Sequence, residues 1–364
     1  MNVSFFASRT ITWYMARLFV VRSFAVLAGL AIILLALDLL GESGSILAYP
    51  GNGDAQLWYY VSLRLPQIIS RFLPFSVLLG TLITLATMNQ NSEIVSMKAA
   101  GISAHQILAP LIVASLGIAV ISFWFNDHVV ARATNVLTAW QDVDYGPIPP
   151  SRGVVTNVWV RAGEDLIHAA RVTGRGRSTV LHDITLYDRT GDRLTAVASG
   201  ARAVSTDRGW RMSNARIFEV ASGRVVNLPS VVVAPGVTPD RFTLADINAD
   251  GLSFSALSRA VGDLRAAGRP TIALDTVLWH KISGALSVVL MPLLAAVAGF
   301  GLARSGVLFV RAVIGMALGF TYFVADNFAL AMGNIGAYPP LLAAWAPFLL
   351  FLLIGEAVLI RTEE

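Results

Sequence analysis

Six apolar stretches, each long enough to cross a bilayer, fall into two groups of three. They are Leu18–Leu40, Phe72–Met88 and Ile107–Phe125, then Val277–Ala303, Val307–Met332 and Pro339–Ile360. A hydrocarbon core about 30 Å thick needs about 20 residues of helix to span it. Inside it each segment must satisfy its own backbone N–H and C=O groups, so these stretches are expected to be helices. Between the groups lies a polar block. The expected fold class is an α-helical polytopic membrane protein, six transmembrane helices in a 3+3 layout, with an inserted all-β domain. Residues 1–126 would hold the first three spans, 127–276 the inserted domain and 277–364 the last three.

Composition excludes several classes. The chain is 55% hydrophobic and 14% charged, which is the balance of an integral membrane protein. The net charge of +4 does not imply nucleic acid, because the basic residues are spread out with no run and no interleaved aromatics. There is no cysteine, so thiol catalysis, thiolate metal sites and disulfides are ruled out. Leu18–Leu40 is too long for a cleavable leader, and no small-residue cleavage site follows it, so it is expected to stay in the membrane. No phosphate-binding loop of the Gly-x-x-x-x-Gly-Lys-Ser/Thr type is present; the only lysines are Lys98 and Lys281. His105, His128, His168, His182 and His280 show no metal spacing, and no Gly-x-Ser-x-Gly elbow exists. No catalytic residue, metal or cofactor is assigned.

Charge sets the expected topology. Arg9, Arg17, Arg22, Lys98, Arg304, Arg311 and Arg361 flank one side of the spans, against Arg64 and Arg71 on the other. An excess of Lys and Arg marks cytoplasmic flanks. Both termini, the 89–106 loop and the 303–307 loop are therefore expected inside and the 127–276 block outside, which is periplasmic in an inner membrane.

The inserted block changes period. Val154–Val160 and Leu166–Val172 read as a hairpin across Ala162–Asp165. Asp183–Asp188 alternates and turns at Thr190-Gly191-Asp192. Trp210–Val220 turns at Ser222-Gly223 into Val225–Leu228. Short strands with regular turn signals indicate an antiparallel sandwich or open barrel. Ser253 can cap a connector helix near 253–268 carrying Leu257, Ala260, Val261 and Leu264, ending at Gly268.

Two sets of residues are candidate sites. In the loop after the second span, Asn91 or Ser92 can cap a short helix near 90–101. Glu93 would lie in its first turn, Ile94, Val95, Met97 and Lys98 would follow, and Gly101 would end it. Apolar knobs and one acid suit docking into a groove on a soluble partner; an ordinary polar turn is the alternative. The second set is ionisable and sits at span ends: Asp38, Arg64, Arg71 and Asp326. They suit an outer rim that touches an anionic lipid head group, or helix-end charges that pair with one another. Arg71, about one turn before Pro74, is expected, more than Arg64, to face the cavity and hold a phosphate.

The whole layout resembles the LptF/LptG (YjgP/YjgQ) permeases of the lipopolysaccharide-export ABC transporter. Pro74–Gly80 leading to Asn91–Ser103 is similar to that family's signature between the second and third spans. Val158-Trp159-Val160 with Asp165-Leu166-Ile167 resembles its first jellyroll hairpin, and Trp279–Ile282 through Ser287-Val288 its fourth span. Phe323–Asn327 and Ile335–Pro340 look more like the LptG branch. The resemblance implies an inner-membrane permease subunit, itself not an enzyme, that extracts lipopolysaccharide. It implies an LptF-like permease partner, a dimer of the LptB-like cytoplasmic ATPase, a single-span LptC-like protein and an LptA-like periplasmic bridge. Ser92, Glu93, Ile94, Val95, Met97, Lys98 and Gly101 would form the coupling helix to the ATPase. The first and fifth spans would be lateral gates. Some LptG proteins carry lysines at the outer end of the first span. Leu35–Glu42 has no base here, which moves any phosphate contact to Arg64 and Arg71. An LptF-type subunit is the nearest alternative. Mechanotransmission or lipoprotein-release permeases fit less well, since they have four spans with an insert after the first.

Overall fold

The computed structural model describes residues 8–147, 155–174, 178–190, 193–206, 209–239, 242, 248–266, 270–299 and 307–363. Val154, the Gly191-Asp192 turn, Gly268-Arg269 and the loop bearing Arg304 lie outside these. The chain forms two compact units. One comprises 1–147, 249–262 and 270–364, and the other 148–248 and 263–269.

The helical unit contains α1 (Arg9–Ala48), α2 (Asp54–Gln90), α3 (Glu93–Ala99), α4 (Ala104–Phe125) and, after a π-helical turn at Asn126–Val130, α5 (Ala131–Gln141). After the strands come α6 (Phe254–Ala266), of which residues 254–262 belong to this unit, α7 (Ile272–Gly299), α8 (Val307–Asn334) and α9 (Pro340–Glu363). Six helical segments among the described residues are long and apolar enough to cross a membrane, and each overlaps one of the six apolar stretches. Local signals fix their starts. Ser8 accepts from the Ile11 N–H at the head of α1. Ser103 and Gln106 form a reciprocal capping box at the head of α4.

The helices are longer than their apolar stretches. At 40 residues, α1 runs for about 60 Å at 1.5 Å per residue, twice the hydrocarbon thickness. α2 starts 18 residues before Phe72, at Asp54. The third span continues through the π turn to Gln141. The sequence division at 126/127 therefore falls inside a continuous helical rod, and the β unit begins some twenty residues later. The overhanging ends have their own core of Ile46, Tyr60, Leu137, Trp140 and Tyr145. These aromatics are amphipathic and suit the head-group layer.

In the bilayer region α2, α4 and α7 lie at the centre, with Val77, Leu78, Leu85, Leu108, Leu111 and Leu294 buried among them. Lipid tails are as apolar as leucine, so close packing, not water exclusion, holds these helices together. Gly80 shows how tight it is: a Cβ there would lie 2.3 Å from the Ser23 Oγ on α1. The first and fifth spans are the least enclosed, with 22% and 28% of their span residues buried against 56% for the second.

The β unit is one antiparallel sheet in chain order: β1 (Val155–Ala162), β2 (Asp165–Thr173), β3 (Val180–Thr190), β4 (Arg193–Thr206), β5 (Gly209–Glu219) and β6 (Arg224–Val233). The expected hairpins at 162–165 and 222–223 are present. β4 has no strand signal in the sequence. Its inward positions are Ala198, Gly200 and Ala203, poor strand formers, and it is held as a strand by pairing with β3 and β5 on both sides.

Curvature comes from a crease. Pairing skips a row that crosses every strand, Asn157, Ala170, Asp183, Ala201, Asn214 and Pro229, and between β4 and β5 the adjacent Gly200–Ala215 pair as well. On that row β2, β3 and β5 each turn two successive residues away from the core, so that Ala169/Val172, Leu181/Ile184 and Met212/Ala215 all point inward. A flat strand alternates strictly; the crease shifts the alternation by one and lets both halves face one core around Trp210 and Phe242. Asp183 and Asn214 sit there at φ 50° and 52°, a region that Asn and Asp tolerate and β-branched residues do not. Asn214→Val is expected to cost about 1–2 kcal/mol, and Asn214→Gly to cost nothing. Hydrogen exchange in β4–β6 of the full-length protein measures this; equal exchange in both variants would mean the crease imposes no backbone requirement.

Candidate functional site

The short helix expected after the second span is α3, Glu93–Ala99. Its start differs from the expected cap. Ser92 is left-handed, at φ 58°, and its side chain makes no capping bond. The first turn is instead held by Glu93, whose Oε1 accepts from the Asn91 amide and from the Tyr14 hydroxyl of α1, both at 3.3 Å. Its end is as expected. Gly101 adopts φ 81°, its N–H bonds the Lys98 carbonyl, and the Ile102 N–H bonds the Met97 carbonyl at 3.1 Å. This is the double-bonded helix stop for which glycine is favoured.

The apolar side chains of α3 divide. Ile94 and Met97 are buried in the main helical core, so they fasten α3 to the bundle. Val95 is exposed, and the solvent face carries it with Ser96, Lys98 and Ala99. The expectation of several apolar knobs for a partner is corrected to one, because the 3.6-residue period turns positions 94 and 97 inward while 95 and 98 face out. The result is a rigidly seated short helix, linked by Tyr14 to α1.

The four ionisable candidates do not form one rim. Asp38 on α1 and Arg64 on α2 are a bidentate pair: Oδ1 accepts from Nη2 at 2.8 Å and Oδ2 from Nε at 3.0 Å. Oδ2 also accepts from the Tyr60 hydroxyl at 2.7 Å, and Arg64 Nη1 donates to Gln67 at 2.9 Å. Arg64 is thus occupied. It lies ten residues inside α2, so the two arginines are not at a helix mouth as the apolar pattern suggests. One turn beyond Asp38, Glu42 accepts from the Tyr145 hydroxyl at 2.7 Å. Burial raises the pKa of that phenol; Gln141 opposes the rise and Glu42 reinforces it, so it stays a donor.

Asp326 on α8 has a different partner, His280 Nε2 of α7, at 2.9 Å. His280 was not a sequence candidate, because a lone histidine in an apolar span carries no spacing signal. Arg71 is exposed and has no ion pair or hydrogen bond among the described residues. Of the four, it alone presents a guanidinium free for an external anion. Among the described residues no group of His, Asp and Glu is arranged to hold a metal ion.

At the foot of the connector helix, the Asp127 carboxylate accepts from the Phe254 N–H, so a residue of the π turn caps α6. Ser253 adds a bond from the Ala256 N–H at 3.3 Å. Leu257, Val261 and Leu264 are buried.

The family model described as lipopolysaccharide export system permease LptF/LptG matches residues 13–361. The chain belongs to that family. It is 26% identical over 309 residues to the lipopolysaccharide export system permease protein LptG of Escherichia coli K12, covering 83% of this chain and 84% of the relative. It is 25% identical over 324 residues to the LptG protein of Haemophilus influenzae, covering 86% and 89%. The match takes in both sets of spans and the β unit.

The Asp38–Arg64 pair is partly buried, and removing one partner leaves the other charge poorly solvated. Asp38→Ala and Arg64→Ala are each expected to destabilise the permease by about 1–3 kcal/mol. The double substitution should cost less than the sum of the two. Thermal unfolding in detergent measures the cycle, and strict additivity would show that the pair does not couple α1 to α2.

Proposed function

We propose that this chain is the LptG-type permease of a lipopolysaccharide exporter, itself without catalytic activity, which converts ATP hydrolysis by a separate subunit into lipid extraction from the inner membrane. The observation that carries this reading is α3, a short helix seated on the transmembrane core by Ile94 and Met97 with Val95 and Lys98 turned outward. A helix fixed on one face and open on the other transmits a push to the bundle, and the Tyr14–Glu93 bond extends that path to α1. The LptG names of the relatives favour LptG over LptF. An LptF-like permease would complete the cavity beside the loosely enclosed first and fifth spans. An LptB-like ATPase dimer would receive α3, and LptC-like and LptA-like proteins would accept lipid from the β unit in the periplasm.

Orientation and contact can be tested together. Because the chain has no cysteine, Val95→Cys introduces a single thiol. It should react with a membrane-impermeant maleimide only from the cytoplasmic side, and should cross-link to the ATPase subunit. Glu93→Ala should keep normal insertion but uncouple hydrolysis from lipid release. Wild-type transport by a well-expressed Glu93→Ala protein would reduce the 91–101 segment to an ordinary turn.

A guanidinium recognises phosphate through two parallel hydrogen bonds, and Arg71 is the candidate to do so for lipopolysaccharide. Charge-assisted bonds contribute about 1.5–3 kcal/mol, so Arg71→Ala is expected to weaken lipopolysaccharide binding by roughly ten- to a hundred-fold, and Arg71→Lys to recover part of it. Binding of purified lipopolysaccharide to the reconstituted complex measures this. No loss at Arg71 would leave it a helix anchor in the head-group layer.

A further inference from the structure

We propose that a cleft between α1 and α4, at the end of the bundle that carries α3, binds an anionic glycerophospholipid with its phosphodiester between Arg9 and Arg17. The cleft has a volume of about 990 Å³. Arg9, Trp13 and Arg17 line it from α1. They are four residues apart, so they fall on one stripe of the helix, with the two arginines separated by about 12 Å along the axis. Deeper along the same stripe the lining turns apolar, with Val20 from α1 facing Val113 and Ala114 from α4. A polar, cationic mouth above an apolar trough matches a lipid head group above its acyl chain.

The charges are available. Among the described residues neither Arg9 nor Arg17 has an ion-pair or hydrogen-bond partner, whereas Arg22 donates to the Ile83 carbonyl and Arg64 is held by Asp38. Among the described residues no carboxylate lines the cleft. That absence sets the head-group chemistry. A zwitterionic lipid would bring an ammonium beside two guanidiniums with no acid to meet it, while a phosphatidylglycerol brings only the anion. Trp13, 72% exposed, adds an indole at the depth where aromatics favour the interface. Basic pockets between transmembrane helices at the cytoplasmic end bind anionic head groups by this means. The site is separate from Arg71 and does not depend on what the permease exports.

The test uses the full-length chain, with whatever subunits purify with it, in nanodiscs containing phosphatidylglycerol with a diazirine in its acyl chain. The control is phosphatidylcholine with the same chain. Phosphatidylglycerol should label the 9–21 and 110–114 peptides at least ten-fold more than phosphatidylcholine does. Arg9→Gln with Arg17→Gln should lower that labelling by roughly ten- to thirty-fold, and Arg9→Lys with Arg17→Lys should keep more than half. Labelling of α8 should not change in either variant. Equal labelling by the two lipids overturns the proposal, as does undiminished labelling of the glutamine variant. So does a benzoylphenylalanine probe replacing Trp13 that captures a protein helix in place of lipid.

Discussion

No backbone amide can be left without a partner in lipid, and the rest of this molecule follows from how the chain meets that requirement. Each apolar stretch closes its hydrogen bonds within itself as a helix. Once helical, the segments gain little by hiding from one another, because lipid is as good a solvent for leucine as another leucine is. Steric fit therefore decides the packing. The Ser23–Gly80 approach joins α1 to α2, and the leucines of α2, α4 and α7 make the centre. Polar side chains then fix the register. Asp38 with Arg64 and Tyr60 ties α1 to α2, and His280 with Asp326 ties α7 to α8.

The same requirement explains the two ends of the bundle. Outside the hydrocarbon the helices continue for several turns, past Gly41 and Gly44 in α1 and Pro66 in α2. They pack there through Tyr60, Trp140 and Tyr145, side chains that can lie against apolar surface and still reach water. At the opposite end α3 is short because Gly101 ends it, and it is seated because two of its side chains point into the core. A helix this short is not stable alone. It exists because the bundle supplies its buried face, and for the same reason it can pass a load to the bundle.

The β unit solves a different problem with related means. Six strands in simple chain order would make an open sheet with one exposed apolar face. The crease through Asp183, Ala201 and Asn214 bends the sheet so that both halves serve one core. Backbone conformations that most residues avoid are placed where Asp and Asn supply them at low cost. Arg64 and Arg71 make the corresponding contrast in the helical unit. They have equal charge and lie seven residues apart, yet one is locked to Asp38 and the other is open.

The six spans, the inserted β domain, the short loop helix and its glycine stop were legible in the sequence, because each rests on short-range physics: apolar length, period and turn chemistry. The family signature was legible for the same reason, since it is carried by the segment joining two spans. What the sequence did not contain is pairing between distant residues. Arg64 and Arg71 look alike until α1 places Asp38 beside one of them. Glu93 looks like a helix-start acid until Tyr14, 79 residues away, meets it. Ile94 and Val95 look like equal knobs until the bundle buries one of them. β4 looks like an alanine-rich loop until strands on either side take up its backbone. Side chains 26 to 79 residues apart in sequence are brought within hydrogen-bond distance only by helix packing. For that reason the tertiary structure alone decides which charges are held and which remain free to bind.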